Sequence, residues 1–99
     1  MKTVETASGF ICEIDEAAAN DMELLDLFVE IDEAEDPSTK MLLASKIARK
    51  LLGDAERKRL YDHIRADKGN VPVDRFMEEF HEIIHGLGDD KKNSSSSPG

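Results

Sequence analysis

The sequence predicts an all-α fold, a small bundle of about four helices with a short N-terminal extended segment or strand. Three observations carry this. Apolar residues recur at helical spacing through most of the chain, most cleanly in Val73, Phe76, Met77, Phe80, Ile83, Ile84 and Leu87. Breaks and caps separate the periodic stretches, at Asp36-Pro37-Ser38, Gly53-Asp54 and Lys68-Gly69-Asn70. Only residues 10–14 alternate as a strand does. A chain of 99 residues holds one domain with one modest core.

The elements follow in order. The strand at residues 10–14 has three options: pairing with residues 2–6, pairing with another chain, or staying extended. Asp15 or Asn20 caps a first helix reaching about Asp32. Its apolar residues Met22, Leu24, Leu25, Leu27, Phe28, Val29 and Ile31 cover more than half the circumference, too wide for one ordinary stripe. That helix is either buried on two sides or offers one face to a partner or a second copy. In the second case the interface candidates are Leu24, Leu27 and Ile31. Pro37 sits in the first turn of a second helix, with Leu43, Ile47, Ala48 and Leu51 at helical spacing. Gly53 stops it, and Asp54 caps a third helix over residues 55–66 carrying Leu60, Tyr61 and Ile64. Val71-Pro72-Val73 is extended. Asp74 opens a fourth helix, which Gly86 and Gly88 close. Residues 1–88 therefore form a single helical domain. Residues 89–99, ending in four serines, proline and glycine, read as a disordered tail. The expected core is Leu25, Phe28, Leu43, Ile47, Leu51, Leu60, Ile64, Phe76, Phe80 and Ile84.

Charge is unevenly spread within the net −9. Residues 13–36 carry eleven acidic side chains and no Lys or Arg, whereas residues 37–68 sum to +5. The acidic front either packs against the basic middle or recognises a basic partner, DNA mimicry being one form of the latter. The net field repels phosphate, so nucleic acid is not an expected partner. No apolar run is long enough to span a membrane, and the first residues lack the apolar core of a signal peptide. A lone Cys12 allows no internal disulfide and no all-cysteine metal site, which suits the cytosol.

Chemistry finds little purchase. His81 and His85 have the four-residue spacing that lets two imidazoles share a metal, but no third ligand accompanies them. Residues 64–75 match the glycine and apolar positions of a calcium loop. Its oxygen ligands are replaced by Ile64, Ala66, Lys68 and Arg75. No phosphate-cradling glycine loop or nucleophile motif is present. The expectation is a non-catalytic chain with no metal and no cofactor.

A family likeness emerges from the whole layout. Thr6-Ala7-Ser8-Gly9-Phe10, Ile14-Asp15 and Asn20-Asp21-Met22-Glu23-Leu24-Leu25-Asp26 resemble the front of tail assembly chaperones from long-tailed, siphovirus-type bacteriophages. Leu51-Leu52-Gly53 and Arg59-Leu60-Tyr61-Asp62-His63-Ile64-Arg65 are similar to that family's middle segments. Gly69-Asn70-Val71-Pro72-Val73 and Phe80-His81-Glu82-Ile83-Ile84 resemble its valine-proline turn and final helix. The likeness covers residues 6–87 through order and spacing and carries over no binding residue. It implies a small helical protein in the host cell cytoplasm, absent from the mature virion. Its partners would be the tape-measure protein, whose aggregation-prone helices it keeps soluble, and tail tube subunits. Self-association is a further option. The resemblance also implies a longer form made by ribosomal frameshifting, for which Lys91-Lys92-Asn93 offers a slippery codon run. The alternative class is an acidic helical regulator or DNA-mimic adaptor.

Overall fold

The computed structural model describes the backbone of residues 1–96 and the side chains of residues 1–88. The chain begins with a β-hairpin. Strands β1 (Lys2–Glu5) and β2 (Ile11–Ile14) pair antiparallel, with Lys2 opposite Ile14 and Val4 opposite Cys12. The alternating strand thus takes the intramolecular option. The Thr6 N–H donates to the Phe10 carbonyl (2.9 Å) and the Gly9 N–H to the Thr6 carbonyl (3.0 Å). Gly9 adopts a φ of 92°, a conformation that side chains with a Cβ disfavour. The hairpin corrects the all-α expectation: the fold is mostly helical, but Val4, Phe10, Cys12 and Ile14 of this segment are core residues.

Two short-range caps replace the single first helix. Asp15 accepts the Ala17 N–H and starts the one-turn α1 (Glu16–Ala19). Asp21 accepts the Glu23 N–H and starts α2 (Met22–Glu33). Asn20 and Asp21 leave helical geometry between them, and the Asp21 carboxylate satisfies the Glu23 N–H that a continuous helix would bond itself.

Helix α3 (Pro37–Ile64) starts under Asp36, which accepts from both the Thr39 N–H and the Thr39 hydroxyl. It is broken at Gly53, where φ is 79° and ψ is 177°. The expected second and third helices are its two halves. Helix α4 (Val73–Ser96) follows a turn held by Ala66 N–H to Asn70 carbonyl and Gly69 N–H to Ala66 carbonyl. The expected stop at Gly86 and Gly88 is corrected: helical backbone continues through both to Ser96. Gly86 has another role. A Cβ there would sit 2.8 Å from Val4 Cγ1, so its absence lets the hairpin lie close against α4. The expected tail at 89–99, with Lys91-Lys92-Asn93, falls on side chains outside the described residues, and 97–99 lie outside altogether.

One core joins the hairpin to all three long helices. Of the expected core residues, Leu43, Ile47, Leu51, Leu60, Ile64, Phe76 and Phe80 are buried. Phe28 and Ile84 are half-buried against the cluster. Leu25 is corrected: it is 51% exposed. The inward stripe of α2 is Leu24 with Leu27, Phe28 and Ile31, and Leu25 lies about 100° round the helix from Leu24, outside that stripe.

Candidate partner-binding groove

Helix α4 has more apolar surface than the core absorbs. Phe76, Phe80 and Ile83 turn inward and are buried, Phe76 meeting Tyr61 edge-on with ring centroids 6.0 Å apart. On the neighbouring face, Val73 is half exposed and Met77 and Ile84 are only partly covered. The first half of α3 runs beside this face and contributes Met41 and Leu42, the latter 62% exposed.

Between them lies a groove made of three contiguous hollows. One of about 490 Å³ is lined chiefly by Phe28, Ile31, Met77, Phe80 and Ile84. The next, about 310 Å³, shares Lys40 and Met77 with it and adds Pro37, Met41 and Val73. The third, about 300 Å³, shares Met41 and Val73 and ends against Tyr61 and Val71. From Val73 to Ile84 the groove follows α4 for about three turns, roughly 16 Å. Its walls are mainly aliphatic, thioether and aromatic side chains, with Ser38 and Ser45 among them. Polar groups gather at one end, where Asp32, His81, His85 and Lys40 meet. The Lys40 ammonium donates to the Ile31 carbonyl (3.0 Å) and so ties α2 to α3 at that end. An open apolar trough of this length accepts the apolar face of a short helix. Methionines suit it to partners of varied shape, because the unbranched thioether repacks at low cost.

The three interface residues expected from the sequence are separated by the structure. Leu24 is 2% exposed and belongs to the core, so it is corrected as an interface residue. Leu27 is half-buried against the core, and Ile31 is half-buried at the end of the groove. The spacing of Leu24, Leu27, Phe28 and Ile31 is the i, i+3, i+4, i+7 pattern of an inward stripe, one of several faces that the seven apolar residues of this helix left open in the sequence. Val73 and Met77 belong to the apolar stripe read from the sequence, whereas Met41 and Leu42 carried no such signal; the exposure of all four depends on how α3 and α4 splay.

A polar cluster missed by the sequence reading holds the hairpin turn to the helices. Glu79 is buried on α4, and its two carboxylate oxygens accept from the Thr6 and Ser8 hydroxyls, each at 2.8 Å. The Ala7 N–H donates to Glu82 (2.6 Å), and Ser8 Oγ lies 2.9 Å from His63 Nε2. With its proton directed at Glu79, Ser8 accepts from His63. That is the reverse of the nucleophile–base relation, in which histidine takes the serine proton. Position 79 lies between Phe76 and Ile83 on the inward face, the one trace of this buried carboxylate in the sequence. Cys12 is a buried residue of β2, its thiol pushed up to about 11 by burial first and the Glu56 carboxylate second. His81 and His85 face one hollow with Glu5 and Glu82. Among the described residues no group of three or more His, Cys, Asp or Glu is placed to hold a metal. Among them also no helix is long and apolar enough to cross a membrane. Compared with protein-family models, curated proteins and solved structures, the chain matches none.

Proposed function

We propose that this chain is a non-catalytic tail assembly chaperone of the siphovirus type, which holds an apolar helical segment of a tape-measure protein. The continuous groove between α3 and α4 carries the reading, because its length, apolar walls and methionines fit the face of a helix. The ordered likeness of residues 6–87 to that family supports it. On this reading the protein acts in the host cytoplasm, assists recruitment of tail tube subunits, and leaves before the virion matures.

Co-expression with the tape-measure protein encoded at the same locus tests this. The chain should keep that protein soluble and remain bound at roughly 0.5 M NaCl, where exposed charge pairs are screened. The Leu42→Glu and Val73→Glu variants place charges in the groove at exposed positions and should abolish the complex while staying folded. Binding lost in salt but unaffected by these variants would instead favour the acidic regulator or DNA-mimic class, as residues 13–36 suggest.

A further inference from the structure

A second surface lies on the outer side of α2, away from the groove. Met22, Leu25 and Val29 stand at i, i+3 and i+7 and are 67%, 51% and 48% exposed. At 3.6 residues per turn they form one stripe, bordered by Asp26 and Glu33 on one side and Asp32 on the other. No Lys or Arg occurs between residues 13 and 36. Two cations of α3 reach α2 at its ends. Lys50 pairs with Asp21 (3.4 Å) and Glu23 (3.3 Å) at the start of α2, and Lys40 binds the Ile31 carbonyl near its end. Asp26, Glu30, Asp32 and Glu33 form no ion pair among the described residues.

The helix is also electrostatically unfavourable where the acids are densest. Its last turn holds no basic residue, whereas a helix C-terminus favours cations. Asp26 and Glu30 are like charges four residues apart. A cationic partner would relieve both costs while covering the stripe. We infer that the outer face of α2 is a docking surface for a Lys/Arg-rich amphipathic helix, its apolar side on Met22, Leu25 and Val29 and its cations among the four acids. The proposal does not rest on the chaperone reading, and the surface shares with the groove only Asp32, at the groove's polar end.

The probe is a fluorescent peptide of about fourteen residues, long enough to span α2, with leucines at i, i+3 and i+7 flanked by lysines. Fluorescence anisotropy with the full chain should show binding. The Leu25→Ser/Val29→Ser and Asp26→Lys/Glu30→Lys variants should each weaken it roughly tenfold or more. A Leu42→Glu variant, altering the groove, should leave it unchanged. Should the serine variant lose helicity, the charge-reversal pair carries the test alone. Equal binding of a sequence-scrambled peptide or of one with lysines replaced by glutamates would overturn the proposal. So would affinities unmoved by the α2 variants, or sedimentation showing that a second copy of this chain covers the stripe.

Discussion

Phe80 and Leu25 show how the same apolar character divides by position. Phe80 is 5% exposed and stacks beside Phe76 with centroids 6.0 Å apart, while Leu25 stands half in solvent. Phe80→Ala should therefore lose about 3–5 kcal/mol, the transfer cost plus that of an unfilled cavity. Leu25→Ala should lie within about 0.5 kcal/mol of the parent. Urea titrations of the two variants decide it. Similar losses for both would mean that α2 packs by its other face. Glu79 makes the converse point, since a carboxylate in the core is stable there because two hydroxyls of the hairpin turn satisfy it.

At the scale of elements, Gly53 sets the course of the longest helix. Its φ of 79° and ψ of 177° lie in a region essentially reserved for glycine. A Cβ at this position would meet nothing within 4 Å. Gly53→Ala thus isolates backbone strain from crowding and should cost about 1–3 kcal/mol. Stability measured by thermal or urea unfolding checks this, and an unchanged or higher midpoint would show that α3 can run straight. The bend lets Ala44, Ile47 and Leu51 pack before it and Leu60 and Ile64 after it into the same core. Gly86 serves a different purpose, removing the atom that would collide with Val4 of β1.

Across the whole molecule, pH acts on carboxylate contacts both within and between elements. Glu56 is raised by burial, but the Glu13 N–H and the Arg59 guanidinium outweigh this and hold it below its ordinary 4.5. Asp62 is held low by Arg65 and then Lys58, and Asp21 by the Glu23 N–H and then Lys50. Carboxyls depressed in the folded state contribute stability above their unfolded values, and this is lost as pH falls through the folded ones. Acid weakening should accordingly set in below 4.5. Cys12 has the opposite sign. Its contribution is complete below 9.0 and is lost as pH rises towards about 11, because the unfolded thiol ionises first. Calorimetry from pH 8 to 11 should show a steeper fall in Tm for the parent than for Cys12→Ala. Parallel curves would remove the thiol as the cause.

What the sequence by itself determined was local. The cap at Asp15, the helix start at Pro37, the break at Gly53 and the periodic stripe of α4 all depend on neighbours within a turn or two. The position of the strand was legible from its alternation, although its partner was not. Tertiary structure decided which side of α2 faces inward, because seven apolar residues on twelve left several orientations open to local pattern. It also decided that the hairpin supplies core residues, that Glu79 finds its hydroxyls seventy-odd positions away, and that α3 and α4 leave a groove between them. Each of these depends on groups distant in sequence meeting in space. Periodicity records which faces are apolar; only packing decides which of them are covered.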